Sequence, residues 1–148
     1  MTAKHLRDGL LLSRKLLDWI RGTTVRESRL QVEIRDQTAK LPMARMMIPP
    51  EQGKVLGLLA RMLGARKIIE IGSFTGYSAT WLVDAVGPGG EVIACDLSQE
   101  YLSIARQHWQ KGGLDDRIQV FQGPAEESLT ALLNQGAAGT VDMVLKRI

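Results

Sequence analysis

The sequence predicts an α/β fold in which a parallel sheet carries helices on its faces behind a helical N-terminal region. From Lys67 onward four short apolar runs, "KIIEIG", "EVIACD", "RIQVFQ" and "VDMVLK", are each bounded by turn residues. Helical segments fall between them at about 76–86, 98–112 and 125–135, and strand–helix alternation of this kind gives a parallel sheet. The 148 residues suit one domain, a size that buries roughly 68–70% of the unfolded surface.

Leu6, Leu10, Leu16, Leu17 and Ile20 recur at helical spacing, which predicts an amphipathic helix over residues 4–21 ending near Gly22. A second, more polar helix is expected over 25–39 with Thr24 as its cap. The stretch "KLPMARMMIPPEQG" breaks the pattern as a connector, and Pro50 suits the first turn of a helix running from about 50 to 64. "GARK" then leads into the first strand.

Composition excludes several classes. Cys95 is the single cysteine, so no disulfide framework and no zinc cluster can form within one chain, and a reducing, cytoplasmic setting is expected. His5 and His108 lack partners at ligand spacing and read as surface or core side chains. The apolar run "GLLLSRKLLDWI" is broken by Arg14, Lys15 and Asp18, far short of the roughly 20 apolar residues of a membrane span. Residues 1–47 carry 10 Lys/Arg against 5 Asp/Glu, but the bases are interspersed with acids and apolar residues. That pattern is a solvated helical face and not a nucleic-acid surface.

Ligands of open parallel sheets bind beyond the carboxyl ends of the strands, which directs attention to residues 72–78, to Asp96 and to "GPAE". The turn "EIGSFTGYS" runs from strand to helix through two glycines, either to admit a ligand to the backbone or simply to turn tightly. A P-loop would need lysine after its second glycine, where this chain has Tyr77. A dinucleotide turn would need G-x-G-x-x-G, and the carboxylate of Glu70 beside the loop suits a cationic ligand better than a pyrophosphate. Asp96 ends the second strand where a carboxylate can accept from both hydroxyls of a ribose, or else cap the helix beginning near Ser98. "FQGPAEESL" adds a helix opening whose backbone could meet an adenine edge. Taken together these features fit a nucleoside carrying a positive charge, and S-adenosylmethionine is such a ligand.

"MMIPPEQGKVLGLLARMLGARKIIEIGSFTGYSATWL" followed by "GGEVIACDLSQEYLSIARQHWQKGGLDDRIQVFQGPAEESL" resembles the cation-dependent O-methyltransferases of the caffeoyl-CoA and catechol type. The similarity covers about residues 43 to 144. It implies a Rossmann-like S-adenosylmethionine-dependent methyltransferase fold, with residues 1–47 as an N-terminal helical extension and 48–148 as a partial cofactor-binding domain. It implies cofactor contacts at Ile48, Glu70, Gly72, Ser73 and Ser78, with Asp96 on the ribose and Ala125 near the adenine. Tyr77 would line the methionine end or serve in packing, Trp109 would pack against the sheet, and Met43, Met46, Met47 and Met62 would be apolar filler.

The resemblance further implies methyl transfer to a hydroxyl of a small phenolic or catechol-like acceptor, a divalent metal of the magnesium type, and a homodimer. The family's sheet has seven strands in the order 3-2-1-4-5-7-6, of which this sequence supplies the first four. In the family the fourth strand runs into a phrase like F-I-D-A-D-K that carries the first metal ligand. Here the chain reads "GTVDMVLKRI", and with Asp142 aligned to the strand's opening Asp, Arg147 stands where that ligand would be. A guanidinium cannot ligate a metal. Lys146 reads as solvated charge, no residue is assigned as catalytic or metal-binding, and the sequence reads as a C-terminally truncated form. The alternative reading is a non-catalytic S-adenosylmethionine-binding or dimerisation module, pairing through the open edge of "VDMVL".

Overall fold

A computed structural model describes residues 13–146. Leu6 and Leu10 of the expected first helix, and Arg147, lie outside the described residues. Among the described residues six α-helices and four strands follow one another as α1 (Arg14–Thr24), α2 (Arg29–Thr38), α3 (Pro50–Met62), β1 (Lys67–Ile71), α4 (Tyr77–Val86), β2 (Glu91–Asp96), α5 (Gln99–Lys111), β3 (Ile118–Gln122), α6 (Ala125–Asn134) and β4 (Met143–Lys146).

The strands form one parallel sheet in the order β3-β2-β1-β4, with Ile69 opposite both Ile93 and Val144. The chain builds outward from β1 through β2 to β3 and then returns to the other side of β1. This reversal opens a crevice beyond the carboxyl ends of β1 and β4, where open α/β sheets bind ligands. β4 is anchored at its entry by Asp142, whose Oδ2 accepts from the amides of Arg66 (2.7 Å) and Lys67 (2.9 Å). Those two bonds hold the Asp142 carboxyl below the usual range.

α4 explains its own sequence. "YSATWLVDAV" is apolar nearly all round because the helix is covered on two sides. Ala79, Leu82, Val83 and Val86 join Ile68, Val92 and Trp109 in the cluster against the sheet, while Tyr77 and Trp81 pack with Ile34 and Ile48 on the side of the N-terminal helices. α3 comes in close over this second side: a Cβ on Gly53 would sit 2.4 Å from Trp81 Nε1. The carbonyls at the end of α4 are met by two arginines, Arg117 donating to Val83 O and Gly87 O and Arg66 to Val86 O. These bonds satisfy helix-end acceptors that would otherwise need water.

Two helix boundaries differ from the sequence expectation. α1 continues through Gly22 to Thr24, whose hydroxyl donates to Ile20 O while that of Thr23 donates to Trp19 O. Thr24 therefore ends the first helix and does not cap the second. That cap is Ser28, which accepts from the Gln31 amide while the Gln31 side chain accepts from the Ser28 amide, a reciprocal capping box.

Candidate functional site

The turn between β1 and α4 is held in an uncommon backbone shape. Gly72, Phe74 and Gly76 all have positive φ, at 88°, 52° and 83°. Glycine adopts this region freely, whereas Phe74 does so only under constraint from its surroundings. The Gly72 amide donates to Cys95 O at 2.8 Å, which extends the β1–β2 ladder by one step into the turn. The Phe74 amide donates to Asp96 Oδ2 at 2.7 Å, and the Phe74 ring meets Tyr101 edge-on at 4.4 Å.

Gly76 has a packing cause. A Cβ there would lie 2.6 Å from the indole of Trp109, and Trp109 Nε1 donates to Gly76 O at 3.3 Å. The second glycine of the motif thus lets α5 approach the turn, and the tight-turn reading holds for it. Trp109 is a packing residue beneath the turn, with 1% of its surface exposed.

Asp96 joins two elements. Its Oδ2 fixes Phe74 and its Oδ1 accepts from the Ser98 amide at 2.9 Å, while Ser98 itself caps α5 by accepting from Tyr101. A carboxylate offers about four acceptor positions, so two remain at this half-buried side chain for hydroxyl donors. The Gly123 amide donates to Asp96 O at 3.0 Å, which brings Ala125, the first residue of α6, to the same rim.

Ser73 lies in this turn and Ser78 in the first turn of α4, each 1% exposed, and their hydroxyls have no hydrogen-bond partner among the described residues. Buried hydroxyls are nearly always partnered, by protein, water or ligand. Glu70 is fully buried on β1, two residues before Gly72. Ile48 packs on Tyr77 and Trp81 and lines a groove of about 430 Å³ between the connector before α3 and the end of β4, with Met47, Gln52, Leu145 and Lys146. The residues expected from the sequence therefore gather along the carboxyl end of the sheet: Glu70, Gly72, Ser73 and Ser78 on β1 and its turn, Asp96 and Ala125 on the β2–β3 side, Ile48 on the β4 side.

A family model described as O-methyltransferase matches residues 21–146. The chain belongs to the O-methyltransferase family. It is 38% identical over 106 residues to catechol O-methyltransferase of Mycobacterium tuberculosis, covering 72% of this chain and 46% of that protein. It is 34% identical over 137 residues to caffeoyl-CoA O-methyltransferase of Eucalyptus gunnii, covering 91% and 55%. Among solved structures, the O-methyltransferase of Bacillus cereus in complex with SAH superposes with a TM-score of 0.73 at 32% identity, covering 79% of this chain and 53% of that one. The chain spans about half the length of the relatives it matches.

Within this O-methyltransferase-family chain the resemblance to the caffeoyl-CoA and catechol type, and the Rossmann-like α/β fold, both hold. Among the described residues no three His, Cys, Asp or Glu side chains come together as a ligand set for the divalent metal. No described helix is long and apolar enough to cross a membrane. Sequence reasoning missed Glu27, Thr38 and Tyr101. The Tyr77 hydroxyl donates to Glu27 at 2.7 Å, and burial followed by this bond pushes its pKa far up. Thr38 meets Thr75 at 2.8 Å. These partners lie 50 and 37 residues apart, and no local pattern marks them.

Proposed function

We propose that this chain binds S-adenosylmethionine at the carboxyl end of β1 and that the protein transfers its methyl group to a hydroxyl of a small phenolic or catechol-like acceptor. The observation that carries the reading is the pair of buried hydroxyls without partners among the described residues, Ser73 within the positive-φ turn and Ser78 just after it, beside Asp96. Donors and acceptors so placed fit a polar ligand and would leave unmet hydrogen-bonding groups in an apolar cover.

In this reading the two remaining acceptor positions of Asp96 take the ribose hydroxyls, and Ala125 at the start of α6 lies against the adenine. Ser73 and Ser78, with the Gly72 backbone, hold the methionine end, and the Glu70 carboxylate complements the cofactor's positive charge. Ile48 closes the side toward β4. When bound, the cofactor supplies a sulfonium methyl group to an attacking hydroxyl oxygen, the bonding pair staying on sulfur and the hydroxyl proton passing to a base or to solvent. This chain's residues contribute by fixing the cofactor so that its reactive end faces the groove at β4, and such positioning can account for several kcal/mol of a barrier. The acceptor class comes from the names of the relatives.

Isothermal titration calorimetry of the chain with S-adenosylmethionine, with and without magnesium, tests the cofactor half. Saturable one-to-one binding with the same affinity in both conditions is expected. A cooperatively folded chain that gives no binding heat would sink the reading. For the transfer half, methyl-labelled cofactor with catechol and magnesium should yield labelled methoxy product from the protein.

A further inference from the structure

We propose that Thr38 on α2 and Glu27 just before it are positioning residues that hold turn 73–78 in its cofactor-receiving shape. The inference rests on the cofactor reading above and adds two residues from the N-terminal helical layer to that site.

The Thr38 and Thr75 hydroxyl oxygens lie 2.8 Å apart, and both residues are 1% exposed. Each hydroxyl has one proton. Thr38 Oγ1 also lies 2.7 Å from Ile34 O, which can only accept, so the Thr38 proton goes there. The proton between the two threonines therefore belongs to Thr75, and Thr38 is its acceptor. Thr75 sits between the two unpartnered serines and next to Phe74, whose backbone has the non-glycine positive φ. Asp96 fixes Phe74 from the β2 side, and Thr38 fixes Thr75 from the α2 side.

A second tie lies at the other end of the turn. Tyr77, directly before Ser78, donates to Glu27 Oε1 at 2.7 Å, and the same carboxylate is held by Arg35 of α2 at 3.0 Å. The two ties bracket Gly76 and lie between Ser73 and Ser78, one made to α2 directly and the other to Glu27, which Arg35 of α2 holds. A turn in this backbone shape relaxes unless its neighbours hold it, and a pocket already in shape binds without bearing the cost of ordering.

The test is cofactor affinity by calorimetry for Thr38→Val, Thr38→Ser and Tyr77→Phe, each first checked for a cooperative thermal transition. Valine keeps the shape of threonine but leaves the Thr75 proton without an acceptor, and serine restores the acceptor. Thr38→Val is expected to bind S-adenosylmethionine about tenfold more weakly, with Thr38→Ser within about twofold of the parent and Tyr77→Phe several-fold weaker. A purely structural role would lower the melting temperature and leave affinity of the folded variant alone. Parent-like affinity in folded Thr38→Val, or no recovery in folded Thr38→Ser, overturns the proposal. If Thr38→Val does not fold, Tyr77→Phe decides, and unchanged affinity there overturns it. Absence of binding by the folded parent chain would overturn the cofactor reading itself, and this inference with it.

Discussion

Asp96 links the turn after β1 to the start of α5, and the consequences of removing it follow from those bonds. Asp96→Ala leaves the amides of Phe74 and Ser98 without their acceptor and takes away the positions assigned to the ribose. Cofactor affinity is expected to fall at least about tenfold, with a loss of stability of roughly 1–3 kcal/mol, measured by calorimetry and by urea denaturation. Unchanged affinity would remove Asp96 from the site. Gly76→Ala would place a methyl group 2.6 Å from the Trp109 ring and force a φ of 83° on alanine. Strain and overpacking together should cost roughly 2–4 kcal/mol in denaturant titrations. The sequence shows both glycines of the turn but not the packing role of Gly76. Trp109 lies 33 residues from Gly76, and only the fold brings its indole under the turn.

Among the elements, α2 shows how a short polar helix is held in place. Its capping box at Ser28 satisfies two amides at once, so Ser28→Ala should cost about 1 kcal/mol in thermal or chemical unfolding. Its buried residues Gln31, Ile34 and Thr38 lie on the face toward α4. The expected cap at Thr24 failed because that hydroxyl is already used by its own helix, bonding to Ile20 O. Threonine and serine look alike as cap candidates until the register of the preceding helix is known. His108 on α5 carries a pH dependence. It is buried, and desolvation lowers its pKa, an effect opposed by nearby Glu33 and reinforced by Lys111. The folded state therefore binds the proton less tightly than the unfolded chain. The neutral histidine's contribution is fully present above the unfolded value of about 6.5 and is lost as pH falls through the folded value. Stability measured across that window should decline on acidification, and His108→Gln should flatten the slope. A slope unchanged in the variant would assign it to other groups.

For the molecule as a whole, the alternation of apolar runs and helical segments was enough to give the parallel sheet, because each strand is short and bounded by turn residues. The strand order β3-β2-β1-β4 agrees with the first four positions of the order that the family resemblance implied. Periodicity alone contains no order, since it fixes where strands occur and not which neighbours they take. Two features of the site were legible: the turn, and the carboxylates on neighbouring strands. The N-terminal helical layer was legible only as helices, because its ties to the turn run between residues far apart in sequence. β4 carries Val144 with 57% of its surface exposed and lies at one side of the described sheet.

The most direct measurement is a ¹H–¹⁵N correlation spectrum of the chain recorded through a titration with S-adenosylmethionine. Saturating shifts concentrated at the amides of residues 72–78, Asp96 and Ala125 are expected, with smaller shifts at Thr38 through its bond to Thr75. Shifts confined to a different face, or a well-dispersed spectrum unmoved at millimolar cofactor, would contradict the assignment of the cofactor to the carboxyl end of β1.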